Sequence, residues 1–226
     1  MEPGVGRDGE LTALVREPAG EPEGALVLLH GRGTGEQDLH PLLDALDPGR
    51  RLLGITPGGP LTGLPPSGRH WYAIEQVGQP HEETFVETMT QLSAFLDALL
   101  RERGIPWDHT VVGGFSQGGA VSLALALGTG RPRAAGILAM SCFLPTVRGW
   151  RIDVRAKRGM HAYVSHGTYD NIIPVGFGRR VRDLLEEGGL EVEFRESRVQ
   201  HQIDPELLPE MQAWLAARTS GANAEG

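Results

Sequence analysis

The chain has 226 residues, a formal net charge of −8 and a single cysteine, Cys142. This length suits one sizeable α/β core, the even mixing of acidic and basic residues argues against a nucleic-acid partner, and a lone cysteine excludes an intrachain disulfide framework and fits a reducing compartment. The first residues lack the basic and apolar regions of a signal peptide and no apolar run reaches membrane-spanning length, so the expectation is a soluble, cytoplasmic protein with no membrane span.

Residues 1–9 and 219–226 are rich in Gly, Ala and Glu and are expected to be flexible, leaving a single domain over 10–218. Within it, strand-like runs at 11–16, 25–29, 51–55, 110–115, 136–140, 162–165 and 191–194 alternate with helix-like ones, the first a candidate for antiparallel pairing at an edge. Such alternation predicts an α/β fold, a mainly parallel sheet with helices on both faces. Phe85, Met89, Leu92, Leu96 and Leu99 recur at three and four and predict a helix over 82–103 with one buried stripe, ended by Gly104 and Pro106. Val181, Leu184 and Leu185 mark a helix stopped by Gly188 and Gly189, and Asp204 as cap with Pro205 at the first helical position opens a last helix that buries Leu208, Met211 and Leu215.

One stretch carries chemistry. Val111-Val112-Gly113-Gly114-Phe115-Ser116-Gln117-Gly118-Gly119 is an apolar strand ending in G-x-S-x-G and passing at once into an Ala/Leu-rich helix. That context places Ser116 on a sharp bend with its hydroxyl presented outward, and leaves no room for side chains at 114 and 118. A serine is a weak nucleophile without a base and a group to orient that base. Asp170 follows the strand-like 162–165 and a polar turn, and His201 lies in a loop after the strand-like 191–194. The order Ser, Asp, His, with each member after a strand, is that of α/β-hydrolases. Asp153, in a basic segment, and Asp204, better read as a helix cap, are the weaker carboxylates; His30 and His166 read as structural residues that hold strand-end turns. Two backbone donors are needed for the oxyanion, and the amides of Gln117 and of Arg32, in the loop His30-Gly31-Arg32-Gly33, are the candidates.

Together, His30-Gly31-Arg32-Gly33, Gly114-Phe115-Ser116-Gln117-Gly118-Gly119, His166-Gly167-Thr168-Tyr169-Asp170 and His201 followed by Ile203 and Pro205 resemble the phospholipase/carboxylesterase family of small α/β-hydrolases, which includes the acyl-protein thioesterases. The resemblance runs from about 26 to 215. It implies Ser116 as nucleophile, Asp170 as orienter, His201 as base, and Arg32 and Gln117 as oxyanion donors. The chain departs from the pattern at Gln200, where the family often has glycine, and at Cys142, where a side chain larger than the usual glycine narrows the acyl site.

Only 142–159 separates the strand after the nucleophile helix from the next, which leaves no room for a cap domain, so loops alone cover the site, chiefly 56–81. Leu61, Leu64, Trp71, Tyr72 and Phe143 are expected to line a shallow apolar acyl pocket. The implied activity is hydrolysis of short- to medium-chain carboxylic esters through an acyl-enzyme, with a small-molecule ester as partner, no cofactor and no metal, and a homodimer left open. Three rivals stand beside it: a thioesterase or lysophospholipase with the same chemistry, a non-catalytic small-molecule receptor on the same fold, and a dinucleotide-binding protein. The last fails at Glu36, where G-x-G-x-x-G needs its third glycine. Arg148, Arg151, Arg155, Lys157 and Arg158 read as a solvated loop, with an anionic head-group site as the alternative.

Overall fold

The computed structural model describes residues 6–7 and 11–219. In chain order its elements are β1 (Gly6–Arg7), β2 (Ala13–Arg16), β3 (Gly24–Leu29), α1 (His40–Leu46), β4 (Leu52–Pro57), β5 (Leu61–Thr62), β6 (Ile74–Gln76), β7 (Gln79–Pro80), α2 (Glu82–Glu102), β8 (Thr110–Phe115), α3 (Gln117–Leu127), β9 (Gly136–Met140), β10 (His161–Gly167), α4 (Gly176–Glu187), β11 (Glu191–Ser197) and α5 (Leu208–Thr219). The large sheet runs β11-β10-β9-β8-β3-β4-β2. The edge strand β2 is antiparallel to β4, and every other pairing in the sheet is parallel. Of the ends expected to be flexible, Gly6–Arg7 pairs with β5 and Thr219 closes α5; the rest lie outside the described residues.

The two-residue period of a strand divides the core. Ala25, Val27 and Leu29 of β3 face one apolar layer and Leu26 and Leu28 the other. The first layer takes Phe85, Met89, Leu92 and Leu96 of α2, all of α3's apolar residues, and Val181 and Leu185 of α4. The second takes Leu43 and Leu46 of α1 with Met211, Trp214 and Leu215 of α5. Every residue of α3 is buried, as expected for a helix apolar all round at the centre of a fold. The α2 stripe continues through Leu100, while Leu99 is only partly covered, because the 3.6-residue period rotates the last turn away from a strict three-four repeat. The carboxyl-terminal helix opens with a 3-10 turn, Pro205–Leu207, whose amide at Glu206 is capped by the Asp204 carboxylate.

Composition alone gives no hint of a buried ion pair that ties β2 to α1. The Arg16 Nη2 atom lies 2.6 Å from Asp47 Oδ2, with both side chains enclosed. Arg16 also donates to the carbonyls of Leu43, Asp47 and Leu52, and Asp47 accepts from the Leu52 amide at 2.9 Å. Asp47→Ala would remove the enclosed partner and leave the guanidinium only the exposed Asp44 carboxylate at 3.3 Å, so it is expected to lower stability by about 3 kcal/mol in urea unfolding. A loss below about 1 kcal/mol, the range of an exposed pair, would contradict that account.

Candidate active site

The parallel strands end on one edge, and that edge holds Ser116, Asp170 and His201. Ser116 follows β8 with φ 56° and ψ −116°, a left-handed conformation that a residue with a Cβ rarely adopts. Its amide donates to the Met140 carbonyl at 2.9 Å, which fixes the bend against β9. A Cβ at Gly118 would overlap the carbonyl of Leu29, and one at Gly114 would stand 2.5 Å from the Gly118 carbonyl carbon. Both positions are therefore restricted by close approach of backbone. Ser116 occupies the cap position of α3 but makes no cap hydrogen bond, and its hydroxyl instead donates to His201 Nε2 at 2.8 Å.

His201 Nδ1 donates to Asp170 Oδ2 at 2.6 Å. The other carboxylate oxygen accepts from the amides of Ile172 and Ile173 at 2.9 and 2.8 Å. The turn carrying Asp170 is sewn to the His201 loop by the Thr168 amide on the Ser197 carbonyl and the Tyr169 amide on the Val199 carbonyl, 2.7 and 3.0 Å. Gln200 does not take up the left-handed region, so the position needs no glycine. The Phe115 ring lies 4.8 Å from that of His201, centroid to centroid, and packs the imidazole in place.

The loop after β3 is rigid for separate reasons. His30 Nδ1 donates to the Gly31 carbonyl at 2.7 Å while Nε2 accepts from the Gly59 amide at 2.8 Å. Gly33 donates to Arg69 and Arg69 to Thr34. The Arg32 amide has no acceptor among the described residues, and Gln117, as the first residue of α3, has no intrahelical acceptor for its own. Gln117 does more than present an amide. Its buried side chain accepts from the Trp71 amide at 2.9 Å and donates to the Tyr72 carbonyl at 2.8 Å, pinning the covering loop to the helix start.

Ser116 and His201 open into a cavity of about 470 Å³ lined by apolar Leu39, Pro66, Phe115, Ile172 and Ile203, with Arg32, Thr34, Asp38 and Gln202 among its polar members. None of Leu61, Leu64, Trp71, Tyr72 and Phe143 lines it, which corrects the expected acyl pocket. Leu61, Trp71, Tyr72 and Phe143 are buried: Trp71 is held by Gln117, by Thr88 and by its own indole N–H on the His30 carbonyl, and Phe143 packs on Phe177. Leu64 is half-buried, and its carbonyl pairs with His70. Loop residues of an apolar type were thus drawn into the core instead of the groove. Cys142 likewise packs against Gly119 in the core, and burial pushes its thiol pKa up. In the basic segment, Arg148, Arg151, Arg155 and Arg158 are exposed, but Lys157 is buried on the carbonyls of Arg131 and Pro132. A further depression of about 660 Å³, around Asp97, Arg101 and Trp107, lies at the opposite edge of the sheet and contains neither Ser116 nor His201.

The sequence profile of the phospholipase/carboxylesterase family matches residues 11–219. The chain belongs to this family. The acyl-protein thioesterase 1 of Mycosarcoma maydis is 29% identical over 232 residues, taking in 91% of this chain and 96% of that one. That of Neurospora crassa is 31% identical over 75% of this chain and 76% of its own; with the Emericella nidulans protein, 28% identical, the match takes in 64% of this chain and 66% of that one, just under two thirds of its length. Among solved structures, the Bacillus cereus carboxylesterase superposes with a TM-score of 0.80 at 21% identity, covering 93% of this chain and 96% of that one. The fold is that of an α/β-hydrolase without a cap domain: between β9 and β10 there is no regular element beyond the 3-10 turn Arg155–Lys157. Among the described residues, no helix is long and apolar enough to cross a membrane.

Burial makes several of the histidines acid-sensitive. It holds the His30 imidazole down at about 4 and also lowers His166, His70 and His161. An unfolded histidine takes up its proton near pH 6.5, so between that value and the folded one the unfolded chain binds more protons. Stability is then fully kept above that window and lost as pH falls through it. His30 alone is expected to remove about 2 kcal/mol between about pH 7.5 and about pH 5. Urea unfolding curves with equal midpoints at the two pH values would contradict this.

Proposed function

We propose that the protein is a serine carboxylester hydrolase acting through an acyl-enzyme. The observation that supports this reading most is the position of His201, whose ring joins Asp170 Oδ2 at 2.6 Å to the Ser116 hydroxyl at 2.8 Å. With Nδ1–H committed to a carboxylate, Nε2 is the bare nitrogen and faces the hydroxyl proton. As Ser116 Oγ attacks the acyl carbonyl, Nε2 takes that proton and Asp170 stabilises the imidazolium. The amides of Arg32 and Gln117 receive the oxyanion, the second with the positive end of the α3 dipole behind it. His201 then returns the proton to the leaving group, and water repeats the sequence to release the acid.

The same steps serve an oxygen ester or a thioester, since both pass through a tetrahedral oxyanion. The names of the thioesterase relatives favour including thioesters among the substrates. A cavity of about 470 Å³ with polar members at Arg32, Thr34, Asp38 and Gln202 favours short to medium acyl groups on small esters. A panel of acyl chain lengths on oxygen and sulfur leaving groups tests this: kcat/KM should peak at short to medium chains. A steady rise to long-chain acyl-proteins or lysophospholipids would refute the preference while leaving the chemistry intact.

A further inference from the structure

Under the Asp170 turn lies a second imidazole that the steps above do not use. His166, the residue of β10 before its last, Gly167, is 1% exposed. Its Nε2 atom is 2.8 Å from the Ile173 carbonyl oxygen and 3.5 Å from Asp170 Oδ2. A carbonyl only accepts, so the proton sits on Nε2. Nδ1 is then bare, and it is buried without a partner. Against it stands Gly178 of α4, where a Cβ would come within 2.5 Å of that nitrogen. The helix therefore leaves out a side chain where the ring needs room.

Ile173 links this ring to the site. Its N–H grips Asp170 Oδ1 at 2.8 Å and its C=O accepts from His166. The carboxylate is thus clasped by a turn whose far end is tied to the imidazole, and the His166 Nε2–H itself lies 3.5 Å from Oδ2, the oxygen that meets His201.

We propose that His166 is a positioning residue for the Asp170–His201 pair, its Nε2–H holding the 170–173 turn closed so that Oδ2 stays in line with the His201 Nδ1–H. The proposal rests on the role given to Ser116, Asp170 and His201 above. Desolvation lowers the His166 pKa and keeps the ring neutral; the titratable groups that bear on it are Asp170 in the turn, His201 in the loop after β11 and Glu196 on β11 itself. From α4 it meets Gly178, and Arg179 beside it is committed to Glu196 at 2.7 and 2.8 Å. A second proton, on Nδ1, would have no acceptor.

The test compares His166→Phe, His166→Gln and Gly178→Ala with the wild type on a short p-nitrophenyl ester. Phenylalanine keeps a ring but has no N–H, glutamine offers an amide N–H to the Ile173 carbonyl, and an alanine methyl at 178 displaces the ring without contacting substrate. In His166→Phe, kcat should fall about 10- to 100-fold with KM changed less than about twofold. Glutamine should recover about tenfold of that loss, and Gly178→Ala should lower kcat in the same way. The far-downfield proton resonance of the His201–Asp170 hydrogen bond should broaden in His166→Phe and Gly178→Ala, a readout independent of turnover. The proposal is overturned if His166→Phe keeps kcat within about twofold of wild type, or if phenylalanine and glutamine slow the enzyme equally, since packing alone would then account for the ring. Should His166→Phe not fold, Gly178→Ala decides: a wild-type kcat with a sharp resonance overturns the proposal. Failure of the underlying roles is a separate outcome, because it would show as turnover that survives Ser116→Ala.

Discussion

Ser116→Ala is expected to lower kcat by about a millionfold while leaving the fold and its unfolding midpoint unchanged. The size follows from what the hydroxyl does. Under the proposed chemistry no acyl-enzyme can form without Oγ, and what is left is the binding cavity and the two amides, which would give only a small residue of rate over water. The fold should be indifferent because Ser116 makes no cap hydrogen bond with α3, and alanine tolerates the left-handed φ of 56° no worse than serine. Stopped-flow traces with p-nitrophenyl acetate should show a burst in the wild type and none in the variant. Hydrolysis by the variant above about one-thousandth of the wild-type rate would remove Ser116 from the role of nucleophile.

Asp170→Asn should cost about ten-thousandfold in kcat, and the reason lies in how the carboxylate is held. Oδ1 is gripped by the amides of Ile172 and Ile173, so an asparagine must place its carbonyl oxygen there. Its NH2 group then faces His201. The imidazole must turn Nδ1 into an acceptor and carry its proton on Nε2, where it confronts the Ser116 hydroxyl as a second donor. The base is lost although no atom has moved far. KM should change little, because Asp170 does not line the cavity. A loss smaller than about tenfold would mean that the carboxylate neither sets the tautomer nor stabilises the imidazolium.

Much of this arrangement was legible in the sequence because strain and punctuation mark it. The β-branched run before Gly114 and the small residues after Ser116 announce a strand turning at once into a buried helix, and the chain order of Asp170 and His201 follows the strand ends. Loops were harder. Trp71 and Tyr72 read as groove residues by type, yet Gln117 and Thr88 bind their backbone and bury them; nothing local in 56–81 signals partners that lie beyond it in the chain. The helix α1 leaves little trace in the sequence because it has only seven residues, no acidic first turn and no side-chain cap; Pro41 in its first turn is its clearest sign. The Arg16–Asp47 pair joins residues 31 apart, and the grip of His166 on Ile173 depends on how the turn closes. Such long-range polar contacts leave no periodic trace.

The measurement closest to the central claim is peptide mapping after exposure to a fluorophosphonate. The account predicts one stoichiometric adduct, on the peptide containing Ser116, that abolishes ester hydrolysis and is slowed by a saturating short-chain ester. An enzyme that hydrolyses esters yet carries no adduct at Ser116, or is inactivated by one elsewhere, would contradict it.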